Sequence, residues 1–210
     1  MPRPAPPGWR YEREAREAGC ALVAGMDEVG RGCLAGPVVA AAVILEPGRR
    51  FDGLHDSKLM TPSQRETLFR VILRKAEAWG IGAVDAVEID HINILNATRE
   101  AMQRAVADLP IRPDHLLIDA LRLPAIPIAQ TSVIHGDRLC VSIAAASVIA
   151  KVVRDRVMEH YDRMYPGFGF AAHKGYATAE HMAAVERQGP SPLHRRSFRG
   201  VWVQRTIEFS

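Results

Sequence analysis

The chain lacks any apolar run approaching the ~20 residues that cross a bilayer. Its N-terminus places prolines and charges where a secretory signal needs an apolar core. Both absences lead us to expect a soluble cytoplasmic protein without membrane contact. Cysteine is scarce: Cys20, Cys33 and Cys140 are odd in number and show no metal-ligand spacing. That fits a reducing cytosol with buried or idle thiols. His135, His173 and His181 form no zinc pattern, and solvated or phosphate-contacting roles suit them better. Internal repeats and a clear domain linker are also missing. Strong charge of one sign is absent, since a net charge of +3 does not by itself argue for nucleic acid. Its distribution is uneven. Residues 122–210 carry 12 Lys and Arg against 7 Asp and Glu, whereas residues 1–121 carry 15 against 17. Arg195, Arg196 and Arg199 cluster near the end, where the ordinary reading is a solvated basic surface.

What is present is an ordinary globular composition, 48% hydrophobic and 24% charged, in 210 residues. That length is enough for a substantial core. Met1 to Gly8 reads as a proline-rich arm, and Tyr11 to Ala18 as one or two exposed helical turns. Strands are expected at Ala21–Asp27, Val38–Leu45, Ile81–Val87, Asp114–Ile118 and Ile128–Ile134. Thr61-Pro62-Ser63-Gln64 is a capping box with proline at the first helical position. The helix it opens should fade near Trp79-Gly80. Further helices are expected at about Asp90–Leu109, Val141–Arg163 and Thr178–Arg187, with a glycine-rich loop over Pro166–Gly175. This order predicts an α/β fold: a mixed central sheet of about five strands flanked by helices. The expected organisation is an N-terminal arm and short helix (1–19), a catalytic domain (20–189) and a C-terminal basic tail (190–210).

The chain is organised around Gly25-Met26-Asp27-Glu28-Val29-Gly30-Arg31-Gly32. Asp27 and Asp119 each end an apolar strand. If those strands are parallel neighbours, ~4.8 Å apart, the two carboxylates can share a small ion. Glu28 poses a difficulty, because consecutive strand residues point to opposite faces. It joins Asp27 only if the chain leaves strand geometry there, which Gly30 and Gly32 would ease. Asp137 can close the cluster from the next strand, with Asp155 as its rival; a plain ion pair with Lys151, one turn earlier, accounts for Asp155. Carboxylates alone suit Mg2+ or Mn2+. Two such ions ~3.5–4 Å apart can activate water and stabilise the leaving oxygen of a phosphodiester. Arg31 between two glycines can bring backbone N–H groups close to a sugar-phosphate chain. Lys174 and Tyr176 place a cation and an aromatic on one loop, suited to phosphate contact and stacking; a Tyr docked on the core is the plain alternative.

These residues resemble the ribonuclease HII family. The opening stretch resembles that family's first motif, and so do Asp56-Ser57-Lys58, His91-Ile92-Asn93-Ile94-Leu95, Leu117-Ile118-Asp119, Gly136-Asp137 and Ser142 to Asp155. Tyr165 to Tyr176 and His194-Arg195-Arg196-Ser197-Phe198 match as well. The resemblance runs from about Glu12 to about Val201. It implies a ribonuclease H-like fold and a metal-dependent endoribonuclease, expected as a monomer. The implied substrates are the RNA strand of RNA–DNA hybrids and DNA duplexes containing single ribonucleotides, cut on the 5′ side to leave 3′-hydroxyl and 5′-phosphate ends. Carried over by position, the metal and catalytic carboxylates are Asp27, Glu28, Asp119 and Asp137, which decides Asp137 over Asp155. Gly30, Arg31 and Gly32 become the sensor of the ribose 2′-hydroxyl, and Tyr176 the residue that stacks at the RNA–DNA junction. Three positions depart from the family pattern: Leu59 follows Lys58 in place of a second Lys, Ala120 follows Asp119 in place of Gly, and His135 replaces a Lys. Two other readings stand beside this one: a non-catalytic binder of RNA–DNA hybrids, and a DNA nuclease or transposase-like enzyme on a similar fold.

Overall fold

The computed structural model describes residues 5–55 and 57–201. Asp56, the side chain of Lys58 and the tail end from 202 to 210 lie outside the described residues. Elements follow in the order α1 (Arg10–Glu17), β1 (Val23–Val29), β2 (Val38–Leu45), α2 (Pro62–Lys75), β3 (Ala76–Val84), α3 (Ala86–Ala107), β4 (His115–Asp119), β5 (Ala129–Val133), α4 (Gly136–Leu139), α5 (Val141–Met164), α6 (Phe170–His173) and α7 (Ala179–Gln188). The five strands form one mixed sheet in the order β3-β2-β1-β4-β5. β1 is antiparallel to β2 and parallel to β4, and β4 is parallel to β5.

β2 is buried along its whole length, as its unbroken apolar sequence demands. Its Val39, Ala41 and Val43 pack under α5 and α2, while Ala40, Ala42 and Ile44 pack under α3. α5 lies directly on β1: a Cβ on Gly25 would stand 2.2 Å from the Ser142 carbonyl carbon. Ser142 and the alanines at 144, 145 and 146 permit that approach, and all of them are buried.

The capping box forms as expected, with Thr61 and Gln64 exchanging hydrogen bonds at the start of α2. Two boundaries differ from expectation. α2 stops at Lys75 and β3 starts at once at Ala76, because β2 pairs with this segment from Leu45 back to Val38. Cross-strand pairing outweighs the helical propensity of Ala76-Glu77-Ala78. α3 then starts earlier, capped by Asp85, whose side chain accepts from the Glu88 N–H. It also breaks at Asn93, where φ is 65° and the side chain caps the onward turn through Leu95 and Asn96. The expected glycine-rich loop contains the short helix α6.

α1 is less exposed than its charged sequence implies. Glu12 is buried, and its Oε1 accepts from the Ser142 N–H at 2.8 Å, the Ser142 hydroxyl at 2.9 Å and the Cys140 thiol at 3.1 Å. A carboxylate thus satisfies the free N–H end of α5 from another element.

Candidate active site

β1 carries the centre of the site. Met26 pairs with Ile118 on the parallel neighbour β4, so Asp27, two residues before the end of β1, stands beside Asp119, the last residue of β4. Asp119 Oδ1 accepts from the Gly136 N–H at 2.8 Å, which draws the start of α4, and buried Asp137 with it, against the same edge. Glu28 corrects an expectation: the chain does not leave strand geometry. β1 continues through Val29, with Asp27 opposite Ala41 and Glu28 opposite Ala40. Asp27 therefore faces the α5 side and Glu28 the α3 side. Glu28 joins the group electrostatically because it sits near the end of the strand, where Asp119 is close enough to act on it.

Like charges gathered in a buried place are costly. Burial pushes the Asp27 carboxyl well above the usual range, and Glu28 and Asp119 push it further. A hydrogen bond from Ser147 on α5 opposes this, and Ser147 is in turn 2.9 Å from the Ser57 hydroxyl. Burial also raises Glu28, against the pull of Arg31, whose Nη1 is 3.3 Å from Glu28 Oε1. The other oxygen, Glu28 Oε2, is buried without a hydrogen-bond partner. An unpartnered carboxylate oxygen beside two more carboxylates has the chemistry of a hard-cation ligand set. As they stand, the side chains do not close around a point: among the described residues no three His, Cys, Asp or Glu are arranged to hold a metal ion. Asp155 pairs with Lys151 at 2.7 Å, as its spacing implied.

The loop after β1 is built with unusual firmness. Gly30 has φ +94°, and a Cβ there would meet Arg154 Nε at 2.2 Å. Gly32 is different: nothing lies within 4 Å of the Cβ it lacks. No internal packing asks for glycine at 32, so its bare backbone faces open space. Two guanidinium groups, both fully buried, grip the loop from below. Arg154 donates to the carbonyls of Pro37, Ala35 and Lys174. Arg195 donates to those of Gly36 and Arg31. Burial pulls Arg195 down to about 10, and the nearby Arg154 contributes.

This overturns the expectation of a basic surface at Arg195. Its cation is used inside, and Asp90 takes the N–H groups of Arg196 and Ser197, which docks the segment onto α3. Lys174 is also engaged internally. Its Nζ lies 2.7 Å from Glu159, and its carbonyl receives Arg154. Tyr176 is 41% exposed, so it is not docked in the core. Its hydroxyl shares a hydrogen bond with the Cys33 thiol, next to the glycine loop.

Sequence reading misses Ser147, Arg154 and His194. A signal is there for two of them. Ser147, Arg154 and Met158 recur at helical spacing on one buried stripe of α5, and a cation on such a stripe must have acceptors.

A family model described as Ribonuclease HII matches residues 24–201. The chain belongs to the ribonuclease HII family. Ribonuclease HII of Geobacter sulfurreducens is 53% identical over 198 residues, covering 94% of this chain and 91% of that protein. The crystal structure of ribonuclease H2 from Pyrococcus horikoshii OT3 aligns with TM-score 0.70 and 28% identity, over 86% of this chain and 95% of that one. Bst-RNase HIII in complex with Mn2+ shares the fold at TM-score 0.68 and 20% identity, over 89% of this chain and 70% of that one. The architecture is the ribonuclease H-like fold, and the chain is a ribonuclease H, a nuclease hydrolase. Among the described residues no helix is long and apolar enough to cross a membrane.

Proposed function

We propose that this member of the ribonuclease HII family hydrolyses the RNA strand of RNA–DNA hybrids and cuts on the 5′ side of single ribonucleotides embedded in duplex DNA. The observation that carries this reading is the contact between two unlike sites within six residues. Buried Asp27 and half-buried Glu28 and Asp119, which repel one another, adjoin a rigid loop whose Gly32 backbone faces open space. Asp27, Glu28, Asp119 and Asp137 would hold divalent ions, Mg2+ or Mn2+; the Mn2+ bound by Bst-RNase HIII on the same fold supports that class. When bound, such ions supply charge neutralisation and activation of water.

The protein's own residues divide the remaining work. Ser147 orients Asp27 from α5, and Gly136 orients Asp119. The backbone of Gly30, Arg31 and Gly32 approaches the ribose and its phosphates. The 2′-hydroxyl is the group by which a protein tells RNA from DNA, and a loop without side chains at 30 and 32 can come within hydrogen-bond reach of it. Arg31, half exposed at the loop's rim, meets phosphate. Tyr176 stacks beside the junction, with its ring outside the core. Lys174 supports the loop chiefly through Glu159 and Arg154.

Cleavage-site mapping tests this reading. A duplex with one ribonucleotide, a long hybrid and an all-DNA duplex are compared with Mg2+, Mn2+ or chelator. A single cut 5′ of the ribonucleotide, lost with chelator and absent on DNA, is expected. Binding without turnover in either metal would instead favour a hybrid-binding protein, and equal cutting of DNA a general nuclease.

A further inference from the structure

Three histidines meet beneath the loop that carries Tyr176. The rings of His173 and His181 stack with centroids 4.2 Å apart, and His181 Nε2 lies 3.0 Å from His194 Nε2. His181 and His194 are fully buried, with Phe170 against both rings. Solvated or phosphate-contacting roles are therefore ruled out for His181, and His173 is turned inward as well. His173 Nδ1 accepts from the Gly175 N–H, and its Nε2 lies 2.7 Å from the Phe168 carbonyl.

The hydrogen-bond chemistry fixes every proton in the buried pair. The Ser191 N–H can only donate, so His194 Nδ1 is the acceptor, at 2.9 Å. His194 Nε2 must then carry the proton and donate to His181 Nε2. His181 is left with its proton on Nδ1, which donates to the Tyr176 carbonyl at 2.8 Å. A carbonyl can only accept, so both ends of the chain agree. The direction runs from Ser191 through two neutral imidazoles to Tyr176. A second proton on either ring would set two donors face to face. Burial accordingly holds both rings below the usual histidine range, His194 at about 4.

The relay is joined to the ribose-sensing loop at each end. Beyond His194, the Arg195 N–H donates to the Leu34 carbonyl, and its guanidinium holds Arg31 and Gly36. Before Tyr176, the Gly175 carbonyl accepts from the Leu34 N–H. Tyr176 and the glycine loop are thus held at one separation by a closed circuit of hydrogen bonds.

We infer that His181 and His194 are positioning residues that set Tyr176 against the Gly30–Gly32 loop, and so tune preference for an embedded ribonucleotide over a continuous hybrid. This rests on the stacking role proposed for Tyr176. The test compares His181→Asn, whose amide can still reach the Tyr176 carbonyl, with His181→Gln, whose amide reaches toward His194 instead. The readout is the ratio of kcat/KM on a one-ribonucleotide duplex to that on a long hybrid. Loss of one buried hydrogen bond predicts a fall in this ratio of about 5–10-fold for Gln and within ~2-fold of wild type for Asn. Equal ratios in the two variants, or the reverse order, overturn the relay. Tyr176→Ala is measured alongside. A lowered ratio there with equal Asn and Gln ratios removes the relay alone. An unchanged ratio in Tyr176→Ala removes the stacking role and the relay's function with it.

Discussion

Asp27 and the loop beginning at Gly30 are three residues apart and are held by opposite means. At Asp27, burial and two neighbouring carboxylates work against the charge the site carries, and Glu28 keeps one oxygen with no partner. In the loop from Arg31 to Pro37, four carbonyls that would face the protein interior are taken by two buried guanidinium groups. One half is electrostatically unfavourable as it stands, and the proposed cation would relieve it. The other is finished before any substrate arrives. The difference is chemical and suits the function proposed above: hydrolysis would need charge that binding relieves, whereas discrimination between ribose and deoxyribose would need a backbone that does not yield.

The sharpest way to break this contrast is at Asp27. Asp27→Asn should lower cleavage by at least about 10³-fold, the scale for losing a central charge-stabilising group. It should also raise the melting temperature of the metal-free protein, because a buried like-charge repulsion is removed. Titration with Mn2+ should then raise the melting temperature of the wild type more than that of the variant. A variant that melts lower than wild type without metal would mean that Asp27 is a stabilising group and the contrast is false.

Arg195→Met tests the other half. It leaves the Gly36 and Arg31 carbonyls buried without donors, at a cost of roughly 3–5 kcal/mol. Denaturant unfolding should show this, together with a weakened preference for ribonucleotide over DNA substrates. A loss under about 1 kcal/mol would mean that water replaces the guanidinium and the loop is not rigid.

Ser147→Ala should act on one half only. Loss of its bond to Asp27 predicts a fall in kcat of about 5–10-fold with KM nearly unchanged. Ser147→Thr, which keeps the hydroxyl, should recover most of it, and an Ala variant with normal kcat would remove Ser147 from the site.

The smallest expected effect is a pH dependence of stability. His194 is held at about 4 when folded, below its usual range when unfolded. The unfolded chain therefore binds the extra proton first as pH falls. Stability linked to His194 is complete above about pH 6.5 and declines as pH drops from there toward 4. His181, which faces His194, His173 and the Tyr176 carbonyl, is lowered in the same direction. Urea unfolding at pH 7 and pH 5 should show the decline, and His194→Asn should flatten it.

Much of this is legible in the chain. The position of Asp119 at the end of β4 and the Thr61–Gln64 cap follow from short-range patterns that act locally, whereas β1 runs two residues past Asp27 because it stays paired with β2 as far as Val39. Glu28 misleads because its neighbours suggest a turn. Pairing with Ala40 on β2, a contact between distant segments, keeps it in the strand. Arg195 misleads because a run of arginines looks like a surface, and only the carbonyls that surround it make it an interior residue. The histidines mislead for lack of ligand spacing, although their partners are one another.

Single residues and their near neighbours supply the available chemistry: carboxylates near the ends of adjacent strands, glycine at 30 and 32, and an aromatic at 176. Those properties belong to single residues and to local backbone preference. Tertiary structure alone decided which charges go unanswered and which are answered. Both depend on groups far apart in the chain, such as Arg154 with Pro37 and His181 with His194, meeting where water is excluded. There a missing partner raises a carboxylate, and a present one makes a loop rigid.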